Sequence, residues 1–345
     1  MVRATVIIPS HEHGPLLLLA ARSALAQTVE DIEVFIVLDG ADDATRAAAR
    51  TAGEEDDRVR IIDKPKGARH GEAYRHEVLE AARGEIVCYL ADDDLWFPDH
   101  VEYLSGLLQR SDFANSLPLV VMPDGRLDVP YLGDLADARY RQAILDDFNF
   151  VPLGAAGHTL AAYRSLPEGW TPAPRELPTD LHMWKKFAAI NGLRMATGGL
   201  PTLLHVPSLM RPSVPIEDRL AELLHWSDRM SDPGERASLR REAFDALSKA
   251  GGHWFMEQRR SHHELGIMHQ RLDEATARIA ATSAEFDSAV RSGTAAGARA
   301  ESAERELDAV RGSIAYRAAR RLAGIPVLRT IGRWVGRALA GREAR

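Results

Sequence analysis

The stretch Ala82-Arg83-Gly84-Glu85-Ile86-Val87-Cys88-Tyr89-Leu90-Ala91-Asp92-Asp93-Asp94-Leu95-Trp96-Phe97-Pro98-Asp99 decides the reading of this chain. Its apolar run, Ile86 to Leu90, has the length and the β-branched and aromatic content of a buried strand. The run leads into three consecutive carboxylates. Adjacent negative charges at the end of a buried strand repel one another, and a divalent cation is the simplest remedy. Oxygen ligands favour Mg2+ or Mn2+, either of which keeps coordination positions for phosphate oxygens. A helix N-cap needs only one carboxylate, and Asp99 is the expected cap of a helix at 100–110.

Working outward, residues 5–9, 33–38, 59–63 and 85–91 read as strands rich in Val and Ile. Helical patterns near 15–27, 42–52 and 68–83 lie between them, with Gly84 as the expected C-cap of the last. Strand–helix alternation predicts an α/β domain, a mostly parallel sheet with helices on both faces. Ligands of such sheets bind beyond the carboxyl ends of the strands. Two further polar clusters stand there: Ser10-His11-Glu12-His13-Gly14 after the first strand and Asp39-Gly40-Ala41-Asp42-Asp43 after the second.

In these positions the first ~210 residues resemble the family 2 glycosyltransferases of the GT-A nucleotide-diphospho-sugar transferase fold. Val6-Ile7-Ile8-Pro9-Ser10-His11 is similar to their opening strand, and Val34-Phe35-Ile36-Val37-Leu38-Asp39-Gly40 to their second strand with its Asp-Asp-Gly end. The segment ending in Asp92-Asp93-Asp94 resembles the one bearing their DxD metal motif. Pro178-Thr179-Asp180-Leu181-His182-Met183-Trp184 resembles the segment carrying their catalytic base. The resemblance implies Asp93, Asp92 and Asp94 as metal ligands, Asp92 also touching the donor. It implies Asp39 at the donor base, Pro9, Ser10 and His11 along the same pocket, and Asp180 as general base. Leu38 and Ala91 depart from the pattern, each standing where many relatives have an Asp. An inverting transfer needs one base to take the acceptor hydroxyl proton opposite the departing diphosphate, and Asp180 supplies one carboxylate apart from the metal group.

Other candidates come from the residues themselves. Lys66, Arg69 and Arg75 flank the helix at 68–83 and offer cations to donor phosphates. His158 lies in the glycine-rich Gly154-Ala155-Ala156-Gly157-His158-Thr159 and is a candidate contact to donor or acceptor. His205 ends a strand near 202–206 and reads as a structural histidine. His11 and His13 alternate as metal ligands can, but the local sequence supplies no third ligand. The one cysteine, Cys88, sits in an apolar run as a buried thiol and excludes an intramolecular disulfide.

The expected organisation is a catalytic domain at 1–212, with a nucleotide-binding half at 1–112 and an acceptor half at 113–212. A helical extension follows at 213–256, then a coiled coil at 257–311 and a basic amphipathic tail at 312–345. Leu265, Leu272, Ile279, Phe286, Gly293, Ala300 and Leu307 recur every seven residues, with Met268, Ala275, Thr282, Ala289, Ala296, Ala303 and Val310 three positions later. That repeat predicts a homodimeric coiled coil. The tail holds eight arginines and one glutamate on a chain of net charge -7. Arginines beside Trp334 and aliphatic residues suit an anionic membrane surface. The acidic body disfavours nucleic acid, and Gly-x-Gly-x-x-Gly is missing after the first strand, which disfavours a dinucleotide enzyme. The chain is expected to be cytoplasmic, or peripheral on the inner membrane face, and to transfer a sugar from a nucleotide-diphosphate sugar to a glycan or lipid-linked acceptor. The rival reading is a membrane-apposed scaffold whose transferase domain has lost activity through Leu38 and Ala91.

Overall fold

A computed structural model describes residues 2–130, 133–292 and 296–312. The contacts divide the chain into two units, Met1–Gly252 and His253–Arg345. The first is built on one sheet. Its strands are β1 (Ala4–Ser10), β2 (Ile32–Asp39), β3 (Val59–Lys64), β4 (Ile86–Tyr89), β5 (Leu95–Trp96), β6 (Phe113–Val121), β7 (Leu127–Asp128), β8 (Ala156–Thr159) and β9 (Met195–His205). The order across it is β3-β2-β1-β4-β8-β6-β9-β5, with β7 paired to β6. β3, β2, β1 and β4 are mutually parallel, while β8 runs antiparallel to β4 and β6. The chain steps outward from β1 through β2 to β3, then returns to place β4 on the other side of β1. This reversal opens a crevice at the carboxyl ends of β1 and β4, where such sheets take ligands.

Helices cover both faces, as the alternation predicts. On one face α1 (Leu16–Leu25), α2 (Asp43–Glu55) and α4 (His100–Leu108) bury aliphatic side chains against Val6, Ile8, Val34, Ile36 and Cys88. Asp42 caps α2 by accepting from the Thr45 amide at 2.8 Å. On the other face α3 (Glu72–Ala81), α5 (Ala138–Leu145), α6 (Leu160–Arg164) and α7 (Thr179–Ala188) enclose a core with Tyr89, Phe113, Trp170, Trp184 and Phe187. Burial pushes the Cys88 thiol well above its usual range, so this residue is a packing element.

Three local expectations change. The helix expected at 68–83 begins only at Glu72, because Gly71 sits at φ 71° against the Asp39 carboxylate. Gly84 is not a helix cap: a Cβ there would stand 2.3 Å from the Thr5 amide nitrogen, so it is the point where β4 enters beside β1. Asp99 precedes α4 without capping it by its side chain and instead pairs with Arg240 at 2.6 Å.

The expected boundary near 212 is also displaced. α8 (Ile216–Ser231) and the start of α9 (Pro233–Ser292) pack Leu223, Trp226, Met230, Leu239 and Ala243 against β5, β6 and β9. The helical extension therefore belongs to the first unit through Gly252. In the second unit the heptad register is not one continuous helix. Ile279, Thr282 and Phe286 of α9 share clefts with Ala303 and Leu307 of α10 (Ala296–Arg311), so the two segments run antiparallel. The basic tail lies outside the described residues apart from Gly312. Among the described residues, no helix is long and apolar enough to cross a membrane.

Two buried histidines make this fold acid-sensitive. His158 is fully buried; its Nδ1 lies 3.0 Å from the Thr159 carbonyl, which can only accept, so Nδ1 carries the hydrogen. Its Nε2 then accepts from the Tyr89 hydroxyl at 2.7 Å, and that hydroxyl accepts from Trp170 Nε1 at 2.9 Å. His100 stacks on Trp96 and bonds Thr202. Burial holds His158 down to about 4 and His100 down to about 3. Between about pH 6.5 and these values the unfolded chain binds protons that the folded one refuses. Stability should fall as pH drops through this window, by at most ~1.4 kcal/mol per pH unit for each histidine. Urea unfolding across that range checks this, and His100→Gln should flatten the slope. Separately, Gly84→Ala should lower stability by about 2 kcal/mol through overpacking, measured in the same way.

Candidate active site

The crevice at the β1–β4 switch point is a cavity of about 750 Å³. The β1 end supplies Pro9, Ser10, His11, Glu12 and His13 to it, and the β2 end supplies Asp39. Lys66, His70 and Arg75 come from the β3–α3 segment, Ala91 and Asp92 from the turn after β4, and Thr179 and Asp180 from the start of α7. Arg219 enters from α8.

Asp92, Asp93 and Asp94 occupy one tight turn, closed by the Asp94 amide donating to the Ala91 carbonyl at 3.2 Å. All three are buried, and each has its own cationic or imidazole partner. His13 Nδ1 lies 2.6 Å from Asp92 Oδ1, and the Ser10 hydroxyl also donates to Asp92. Arg219 Nη2 donates to Asp93 Oδ2 at 2.7 Å, and the Ser208 hydroxyl donates to the same oxygen. His205 Nδ1 lies 2.9 Å from Asp94 Oδ2, while Asp94 Oδ1 accepts from the Val206 amide at 2.8 Å. Burial works against a charged His13, but the hydrogen bond to Asp92 and the Asp92 and Asp93 charges prevail and hold its pKa up at about 9. Burial likewise opposes a charged His205, and Asp94 raises it nonetheless.

This geometry divides the expected metal triad. His13, Asp92 and Asp93 bring ligand atoms within 4.8 Å of one another. Two carboxylates and an imidazole form a donor set suited to Mn2+, and to Mg2+ with more water in its shell. The residues present therefore fit a divalent cation. Asp94 does not join them: it is 1% exposed, and both its oxygens tie the turn to the end of β9.

Asp180 stands on another wall of the cavity. Its Oδ1 accepts from Asn149 Nδ2 at 3.1 Å and from the Leu181 amide at 2.8 Å. Desolvation lifts Asp180 above the usual carboxylate range, with Asn149, the backbone amides and Arg75 pulling the other way. Arg75 is buried, lies 4.7 Å from the Trp170 ring centroid and donates to the His70 carbonyl at 2.7 Å. Among the described residues its Nε and Nη1 have no hydrogen-bond partner. Asp39 accepts from the Gly67 amide at 2.6 Å and from Lys66 Nζ at 2.5 Å, which fixes the loop leading to α3.

The structure thus brings Pro9, Ser10, His11, Asp39, Arg75, Asp92 and Asp180 to one cavity, with Asp93 behind Asp92. Besides Asp94, two expected residues are not brought there. His158 is fully buried, with both ring nitrogens satisfied by Tyr89 and Thr159. Arg69 is not among the residues lining the cavity, and its Nη2 approaches the Leu177 carbonyl at 3.4 Å. The sequence offers His13 as a metal ligand without companions, and it does not point to Arg219 at all. For His13 a signal existed: it follows β1 as Asp92 follows β4, and these two strands are parallel neighbours. For Arg219, placed in a helix over 100 residues from the turn it meets, no local signal existed.

The model of glycosyl transferase family 2 matches residues 5–165, the segment that builds β1 through α6. An uncharacterized glycosyltransferase of Nostoc sp. is 31% identical over 125 residues, 36% of this chain and 38% of that protein. The succinoglycan biosynthesis protein ExoW of Rhizobium meliloti is 33% identical over 103 residues, 29% of this chain and 32% of that protein. The chain thus spans less than two fifths of the length of either relative. Among solved structures, it is similar to S. aureus TarS 1–349, with TM-score 0.47 and 16% identity over 71% of this chain and 70% of that one. It is also similar to the mannosyltransferase PcManGT from Pyrobaculum calidifontis, with TM-score 0.41 and 19% identity over 72% and 75%. Residues 5–165, which carry the β1, β2 and β4 strand ends around the cavity, are thus similar to glycosyl transferase family 2.

Proposed function

We propose that the protein transfers a sugar from a nucleotide-diphosphate sugar to a hydroxyl of a glycan or lipid-linked acceptor, with inversion at the anomeric carbon. The observation that carries this reading is the pairing, in one cavity, of the acidic β4 turn with a separate carboxylate, Asp180. The family match supports it. In this reading Arg75, with two unpartnered guanidinium nitrogens, meets donor oxygens. Pro9, Ser10, His11 and Asp39 surround the nucleotide. Asp180 Oδ2 accepts the acceptor's proton as the hydroxyl oxygen attacks, and the nucleoside diphosphate departs with the bond electrons. His13, Asp92 and Asp93 would hold Mg2+ or Mn2+, which when bound neutralises charge on the leaving diphosphate. Self-association through the α9 positions Leu272 and Phe286, both more than 40% exposed, completes the proposal. So does contact of 312–345 with an anionic membrane.

Thermal unfolding with UDP, GDP, dTDP and CDP, each with and without Mn2+, tests the donor site. One nucleotide should raise Tm on the order of 5 °C at about 100 times its Kd. The rise should require Mn2+ and be lost in Asp93→Asn. No shift with any nucleotide would favour an inactive scaffold instead. Asp180→Asn tests the base: turnover should fall about 100-fold or more, with the nucleotide-induced Tm rise intact. A protonated carboxyl cannot accept the hydroxyl proton, and Asp180 is raised, so the parent's rate should decline on acidification above the ordinary carboxylate range. A rate still level well into that range would remove Asp180 from the role.

A further inference from the structure

Arg219 lies beyond the matched family segment, near the start of α8, yet its guanidinium enters the cavity. Nη2 donates at once to Asp93 Oδ2 at 2.7 Å and to Ser208 Oγ at 2.9 Å. The side chains of Arg219 and Asp93 are each 10% exposed, so the pair meets largely away from water. Nε is buried and has no hydrogen-bond partner among the described residues. Asp93 is at the same time one of the three residues whose ligand atoms converge within 4.8 Å.

These facts set two cations against each other. A guanidinium and a divalent ion drawn to the one Asp93 carboxylate repel each other, so each weakens the other's hold on it. Tight binding of the ion therefore favours release of Arg219. A displaced Arg219 still lines the cavity, with Nε and the freed Nη2 open to an anion. The planar fork of an arginine suits two phosphate oxygens.

We propose that Arg219 is an exchangeable counter-ion of Asp93: it competes with the divalent cation for that carboxylate and, when displaced, takes the diphosphate. The inference rests on the metal and donor reading above, and it adds a coupling to that reading. The divalent ion binds weakly alone, since Arg219 must give up Asp93 without a new partner. It binds tightly with a diphosphate, which supplies that partner. Metal and diphosphate each raise the other's affinity by the same factor. The exchange thereby joins α8 to the donor site.

The test measures Mn2+ binding to the full-length chain by the loss of free Mn2+ signal in electron paramagnetic resonance, with and without inorganic pyrophosphate. Pyrophosphate is the bare diphosphate and removes any dependence on the nucleotide base. In Arg219→Gln, Mn2+ alone should bind about tenfold more tightly than in the parent, because a charge-assisted competitor is gone. The extra tightening by pyrophosphate should shrink. Arg219→Lys retains a cation and should keep Mn2+ binding weak. Arg219→Met fills similar space without hydrogen bonds and serves as a second variant, with circular dichroism melting as the check on folding. Equal Mn2+ affinity in the parent, Gln and Met proteins would overturn the exchange and leave the metal site standing. Weaker binding in the variants would overturn it too, making Arg219 a support of the site. Failure of every protein to bind Mn2+ would overturn both the exchange and the metal reading.

Discussion

The turn of Asp92, Asp93 and Asp94 is the constraint on which the rest of the first unit depends. Three buried carboxylates in succession are tolerable only if each is separately compensated. The compensation arrives from three distant parts of the chain: His13 after β1, His205 at the end of β9 and Arg219 on α8. Each pair fixes an element against the turn. The Asp94–His205 contact, with the Val206 amide, holds the second half of the sheet to the first. The Asp93–Arg219 contact draws α8 over the cavity, and the Leu223 and Trp226 face of that helix is buried as a result. Charge therefore specifies geometry here, while the apolar faces supply most of the stabilisation.

The three pairs differ in what they leave available. Asp94 has every contact turned inward and no face on the cavity, so its pair acts as a staple. Asp92 lines the cavity and shares His13 with a cluster of metal-ligating spacing. One sequence of identical residues thus holds different chemistry at neighbouring positions, because adjacent side chains in a tight turn point in different directions. The two departures from the family pattern fit this picture. Ala91 lines the cavity as a small side chain just before the turn, and Leu38 is buried in the sheet core. Neither displaces Asp92 or Asp93, and His13 stands beside them with its ligand atom within 4.8 Å of theirs.

What the sequence made legible is what local physics determines. Short Val- and Ile-rich runs alternating with helical patterns were enough for the parallel half of the sheet, since each strand and helix declares itself within ten residues. The place of Asp92 and Asp180 at the cavity was legible because strand ends and helix starts are local features. Partners across the fold were not legible. Nothing near Arg219 points to Asp93, and His13 looked solitary only because its companions follow another strand. The opposite error occurred at His158, where a glycine-rich neighbourhood suggested a contact to donor or acceptor. The glycines instead allow β8 to lie close to β4: a Cβ on Gly157 would stand 3.0 Å from the Val87 carbonyl oxygen. Gly84 misled in the same way, since a close backbone approach and a helix cap both demand glycine. The heptad repeat fixed which residues face a partner helix, but not whether that partner is a second chain or the same chain folded back.

Net charge says little about what this cavity binds. The chain carries -7, yet His13, Lys66, Arg75 and Arg219 reach the cavity among the carboxylates Asp39, Asp92 and Asp180. Lys66 is engaged with Asp39 and Arg219 with Asp93, so neither charge is free in the protein alone. Arg75 differs, because two of its nitrogens meet no protein acceptor although the residue is 4% exposed. Burying a guanidinium is costly, and the charge of Glu72, with smaller contributions from Asp180 and Asp39, reduces that cost without satisfying its hydrogen bonds. A ligand that brings oxygen acceptors to this point completes an arrangement the protein leaves unfinished. In the reading proposed above, a diphosphate carrying a sugar does so at one end and offers a carbon to Asp180 at the other. On that reading the unsatisfied cation, more than the carboxylates, inclines the site toward an anionic donor.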